Sequence, residues 1–358
     1  MNWIAMEMQE NEESKLNAGG KARNDISTIA LEQGIEKLEI VAPQRERAEA
    51  NIIKKAVFHY IVARKWEAAF KSVRPGDTVI IQFPVVNHTL LFNRVIKKAK
   101  KRGIKIVAFI HDLETIRFTQ SNQFSLFSKW RMRKEELDEL YSFEKIVVLN
   151  KRMKEYLHDH FHLPEGKMIV LDIWDYLIPE FSCVESVPSN YKSCIIAGNL
   201  TKEKAGYVYQ LPQQPDFELF GICYSSESKQ GNIHYHGSFD ADELPSHLIG
   251  GFGLVWDGDS IETCAGAWGN YLRYNNPHKT SLYLACGIPV IIWREAALAQ
   301  YIIDHQVGLT IDSLEELEEK VNVISLEDYK TMKKNAEQLS VYLKSGYYIK
   351  RALNELIN

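Results

Sequence analysis

Four short segments of this 358-residue chain carry residue types that could do chemistry. The first runs from Asn17 to Asp25 and holds Gly19, Gly20, Lys21 and Arg23. Paired glycines let a backbone bend tightly and approach a ligand. A helix opening there would offer free N–H groups to an anion, with two cations beside them. An ordinary strand–helix turn remains the alternative. The second segment is Phe109-Ile110-His111-Asp112-Leu113-Glu114, an apolar strand running into polar residues. His111 or Asp112 could take a proton from a sugar hydroxyl; Asp112 could equally cap a helix. In the third, Ile196 to Lys202, Gly198 and Asn199 tolerate left-handed backbone and could leave amides free for phosphate, unless this too is a plain turn. The fourth, Tyr274 to Ile291, is the most informative. Pro277 presets a helix start. Lys279 and Ser281 fall in the first turn, where a cation and the helix dipole together suit pyrophosphate. Gly287 then ends the helix and Ile288 to Trp293 returns as a buried strand.

Asp257-Gly258-Asp259 has the spacing of a divalent-cation motif. Two carboxylates alone make a poor Mg²⁺ site, so a polar turn is expected and no essential metal. Neither GxGxxG nor GK[ST] occurs, which disfavours dinucleotide and P-loop readings.

Such residues need a scaffold that gathers them. Short β-rich runs alternate with helical patterns. The expected strands are Trp3–Met8, Leu38–Val41, Thr78–Phe83, Lys105–Ile110, Lys145–Leu149 and Met168–Ile173, and then Cys194–Ala197, Phe217–Cys223, Ile233–Gly237, Gly253–Trp256, Pro289–Trp293 and Gly308–Ile311. Several are unbroken apolar runs, as strands covered on both faces should be. The spacing predicts two parallel α/β units, residues 1–174 and 191–325, joined through the Pro-containing stretch Asp175–Asn190. Two helical stretches with no strand between them, in residues 326–358, are expected to pack back on the first unit.

Charge is uneven. Residues 1–172 hold 29 Lys and Arg against 23 Asp and Glu; the remainder hold 14 against 24. The basic half, with its runs Lys97–Arg102 and Lys129–Lys134, is either solvated surface or a face for an anionic leaflet or lipid pyrophosphate. No apolar run reaches the ~20 residues that span a bilayer. No signal peptide is legible at Met1, so a cytoplasmic protein, with peripheral contact to the inner membrane face, is expected. Five scattered cysteines without a CxxC argue for free thiols rather than disulfides or structural zinc.

The segments Ala18–Asp25, Phe109–Asp112, Gly251–Trp256 and Lys279–Pro289, in this order, resemble the bacterial galactofuranosyltransferases and the related glucosyltransferases that modify surface glycans or adhesins. That resemblance spans nearly the whole chain. It implies the GT-B fold, with two facing Rossmann-like domains. It implies a hexosyl transfer, with galactofuranose as the expected sugar, from a UDP-sugar to a glycan or lipid-linked acceptor, inverting the anomeric centre. Lys279 and Ser281 would hold the donor phosphates, and Gly198, Asn199 and Lys202 would line the donor side. Gly19, Gly20, Lys21 and Arg23 would lie on the acceptor side. Asp112 is the first choice for the base, ahead of Asp25 and His111. Glu295 stands near the first position of a glutamate pair that other relatives carry, but Gln300 and Tyr301 occupy the second region, so no ribose contact is assigned. A self-associating chain is a further expectation, and nucleic acid is not an expected partner. The competing readings are glucosyl transfer, an epimerase, which would need an NAD fingerprint, and a silent partner of an active transferase.

Overall fold

In the computed structural model the described residues are 1–9, 18–43, 51–118, 125–178, 187–225 and 231–358. Among these residues twelve strands form two six-stranded sheets. The first comprises β1 (Asn2–Gln9), β2 (Glu36–Ala42), β3 (Thr78–Phe83), β4 (Lys105–Ile110), β5 (Ile146–Val148) and β6 (Met168–Val170). Its order is β2-β1-β3-β4-β5-β6, and every pairing is parallel. The second comprises β7 (Cys194–Asn199), β8 (Phe217–Ile222), β9 (Ile233–Tyr235), β10 (Phe252–Val255), β11 (Val290–Trp293) and β12 (Gly308–Ile311). It too is wholly parallel, in the order β12-β11-β10-β7-β8-β9. The strands β3, β10 and β11 are buried along their whole length, which is why they read as apolar runs.

Strand order reverses direction between β1 and β3 in the first sheet and between β7 and β10 in the second. Loops leaving the carboxyl ends of the strands part at such points and open a crevice, where open α/β sheets bind ligands. One packing contact fixes the second crevice. Gly253 on β10 has no Cβ, and one placed there would lie 2.1 Å from the Tyr283 ring. The helix His278–Ala285 therefore lies directly on the strand. Its Tyr283 hydroxyl accepts from Ala197 N at 2.8 Å and donates to Ile195 O at 3.2 Å, tying the helix to β7.

The two C-terminal helices differ from expectation in one respect. Leu326–Ser345 packs on the second unit: Tyr329 donates to Gly251 O at 2.9 Å and Ser340 to Ala285 O at 2.6 Å. Only Tyr347–Ile357 packs on the first unit, where the buried Asp175 carboxylate caps it through Tyr348 N and Ile349 N. The turn at Gly346, with φ of 73°, allows the reversal.

The units also meet face to face. Asn276 donates to Leu149 O at 2.7 Å and accepts from Asn150 Nδ2 at 2.8 Å. Tyr271 Oη accepts from Leu113 N at 2.8 Å.

Candidate functional site

The helix Ala18–Glu32 starts at the first switch point, with Gly19 and Gly20 in its opening turn. Lys21 and Asp25 lie one turn apart, both buried. The Lys21 ammonium meets Asp25 Oδ1 at 2.8 Å, Leu177 O at 2.6 Å and, across the units, Asp242 Oδ1 at 2.9 Å. Three acceptors saturate its three N–H groups. Asp25 accepts in addition from Leu177 N, and burial raises its pKa to about 6. Arg23 is likewise engaged, donating to Gln82 O at 3.1 Å and Pro84 O at 2.5 Å. Lys21 and Arg23 thus donate to groups of the protein itself at this point, and Asp25 is buried between Lys21 and Leu177.

His111 and Asp112 follow the end of β4. The Asp112 carboxylate, about two-fifths exposed, pairs with Arg117 at 2.6 Å. The His111 ring stacks on Trp174 and its Nε2 lies 2.9 Å from Gln82 Oε1. Burial first, then Arg23 and His278, hold its pKa well below the usual histidine range, so the imidazole is neutral near pH 7.

Across the crevice, Lys279 donates to Trp256 O at 2.7 Å and to Asp257 Oδ1 at 2.8 Å. That leaves one of its N–H groups without an acceptor among the described residues. Asp257 is buried against this lysine, which makes the Asp257-Gly258-Asp259 turn an ion-pair partner. Ser281 is wholly buried and its hydroxyl has no hydrogen-bond partner. Gly198 has φ of 134°, a backbone only glycine adopts without strain, and Asn199 Oδ1 accepts from Thr201 N. Lys202 is exposed, its ammonium over the Tyr209 ring. Glu295 is ion-paired with Arg273.

Sequence reasoning missed Lys204, Arg117 and Trp268. All three sit on helices of four to six residues: Lys202–Ala205, Glu114–Arg117 and Gly266–Tyr271. The Lys204 ammonium lies 5.1 Å from the centre of the Trp268 ring, and Arg117, from the other unit, lies 4.8 Å from the same ring. Lys204 has no hydrogen-bond acceptor among the described residues. Burial lowers its pKa, and its field is shared with Asp257, Lys279, Arg117 and Asp112. Three cations from both units therefore converge with the end of β4. Such a site can hold an anionic leaving group and take a proton nearby.

The basic segment from Lys129 lies on the helix Leu126–Ser142, with Lys134 over Trp130 and Arg133 over Phe161. Among the described residues no helix is long and apolar enough to cross a membrane, and no group of His, Cys, Asp and Glu has the arrangement to hold a metal ion.

Family models for glucosyltransferase 3-like proteins match both units, the N-terminal domain over residues 1–173 and the C-terminal domain over 194–356. This chain belongs to the glucosyltransferase 3-like family. It is a glycosyltransferase. The β-1,6-galactofuranosyltransferase WbbI of Escherichia coli K12 is 32% identical over 351 residues, covering 96% of each chain. Glucosyltransferase 3 of Streptococcus gordonii is 27% identical over 341 residues, covering 94% of this chain and 93% of the other. Among solved structures, the lipopolysaccharide glycosyltransferase WaaG superposes with a TM-score of 0.62 at 13% identity over 100% of both chains. Anabaena HepE, crystallised with UDP and glucose, gives 0.58 at 11% identity over 99% and 98%. The fold is GT-B, as the resemblance implied.

Proposed function

We propose that this glycosyltransferase moves galactofuranose from its UDP-linked donor to a hydroxyl of a surface glycan or lipid-linked oligosaccharide, with inversion. The observation that carries the reading is the pair of under-coordinated lysines, Lys204 and Lys279, facing the end of β4 across the crevice. They suit a diphosphate: Lys279 keeps one donor, Lys204 keeps three, and Arg117 adds charge from the opposite unit. UDP is the nucleotide to test first, because HepE holds it on the same fold. A β-linked product, as in the name of the E. coli relative, means inversion when the donor is α-linked.

In this reaction the acceptor oxygen attacks the anomeric carbon from the side opposite the diphosphate. The C1–O bond breaks, and UDP leaves with the electron pair into the field of Lys204, Lys279 and Arg117. The acceptor's proton goes to the base. Of the three candidates the geometry favours His111. Asp25 is buried against Lys21, and the Asp112 carboxylate is engaged in an ion pair with Arg117. His111 is neutral and keeps a lone pair. Asp112 then fixes Arg117 beside Trp268. Because Asp257 is neutralised by Lys279, no metal is assigned to the leaving group.

A second reading, glucosyl transfer, has the family's own description behind it. UDP release measured with UDP-galactofuranose and with UDP-glucose, each against a panel of alkyl hexosides, separates the two. Turnover with the furanose donor is expected. Turnover with UDP-glucose alone selects the second reading, and binding of neither donor overturns both.

A further inference from the structure

Gln82 is the one amide in β3, next to the strand's last residue and following the apolar run Val79–Ile81, and it is 6% exposed. Its side-chain NH₂ lies 3.3 Å from Arg23 O and 3.0 Å from Ser27 Oγ. Neither neighbour leaves a choice of orientation. A carbonyl oxygen can only accept, and the Ser27 hydroxyl directs its own hydrogen to Arg23 O at 2.9 Å, so it presents a lone pair to Gln82. A flipped amide would set its oxygen against the Arg23 carbonyl in a buried place, and Ser27 could meet that oxygen only by giving up its own hydrogen bond to Arg23 O. The amide oxygen must therefore face His111 Nε2, at 2.9 Å. An oxygen that can only accept requires N–H on Nε2. A neutral imidazole with its hydrogen there has an unprotonated Nδ1.

We propose that Gln82, locked by Arg23 O and Ser27, is a positioning residue that holds His111 in the Nε2–H tautomer, so that Nδ1 is the atom that takes the acceptor's proton. Stacking on Trp174 fixes the ring plane, and Gln82 fixes which nitrogen carries hydrogen within that plane. The catalytic half of this inference rests on His111 being the base; the tautomer assignment does not.

The test separates the two halves. The full chain is labelled with ¹⁵N-histidine, and the His111 signals are identified by their loss in His111→Gln. Near pH 7 the wild type is expected to show an N–H-type Nε2 and a lone-pair-type Nδ1. Gln82→Met, which fills the space without accepting, is expected to move both shifts toward averaged values. With UDP-galactofuranose and an alkyl hexoside, Gln82→Met is expected to lose kcat by roughly 10–100-fold, as for other partners that orient a histidine, with KM for the donor little changed. Unmoved shifts in Gln82→Met overturn the positioning role, whatever the turnover. Moved shifts with full kcat overturn its place in catalysis. Full kcat in His111→Gln overturns the base assignment and leaves the tautomer result standing.

Discussion

At the first switch point Lys21 gives every N–H group to the protein; at the second, Lys279 gives two and Lys204 none. Both places have a helix near the crevice and basic side chains, so from composition they look alike. The difference lies in the partners. Around Lys21 stand two carboxylates, a carbonyl and the Tyr176 ring, and the result is a joint between the units. Around Lys204 stand an aromatic ring, two cations and the carboxylates of Asp257 and Asp112, but among the described residues none of them accepts a hydrogen bond from it. A buried cation short of acceptors is costly in the free protein and so favours an arriving anion. On the proposed reading the donor side is marked by unsatisfied charge, and the count of charges does not reveal it.

The strongest way to break this comparison is at the end of β4. His111→Gln is expected to lower turnover by about 10²–10⁴-fold while UDP affinity holds. Asp112→Asn, run beside it, is expected to lose less. If Asp112→Asn loses more in kcat, the proton goes to the carboxylate. Next comes the joint itself. Lys21→Met leaves Asp25 without its cation, and urea unfolding should show a loss of roughly 3 kcal/mol. UDP affinity by calorimetry should not change; a matching loss of UDP binding would put Lys21 in the ligand site. At the second switch point, Lys279→Ala should weaken UDP binding by about 1.5–3 kcal/mol, and it should also lower stability because the buried Asp257 loses its cation. Lys204→Ala should weaken UDP binding in the same direction.

A smaller effect separates the units by pH. Burial and neighbouring acids raise the pKa of Glu139, in the first unit, to about 8. A carboxyl with a raised folded-state pKa binds its proton more tightly when folded, so its contribution to stability falls as pH rises from about 4.5 to 8. Glu139→Gln should therefore stabilise the chain by about 1 kcal/mol or more at pH 8, and the gain should shrink toward pH 5. An equal gain at both pH values would mean the carboxyl is not the cause. Smallest of all, EDTA should leave turnover unchanged, since Lys279 already neutralises Asp257. Restoration of a lost activity by Mn²⁺ would return the Asp257-Gly258-Asp259 turn to a metal role.

How much of this was legible follows from element length. All twelve strands were readable, because apolar runs between Gly and Pro signals mark buried parallel strands. Lys279 was readable because Pro277 announces its helix and Gly287 ends it. Arg117, Lys204 and Trp268 were not: helices of four to six residues hold barely more than one turn and show no period. Gln82 left a trace, a lone amide in the run Thr78–Phe83, but nothing in sequence shows what it faces.

The sequence by itself determined the two α/β units, the likeness to sugar transferases and the segments that end at the crevice. These follow from local pattern, since hydrophobic period and turn residues act within a few positions. Tertiary structure alone decided which charges remain available. Lys21 and Lys279 are each a lysine in the first turn or so of a helix. One meets Asp242 and Leu177, more than 150 residues away, and the other meets only the end of its neighbouring strand. Availability depends on partners brought together across the chain, and no local pattern encodes that.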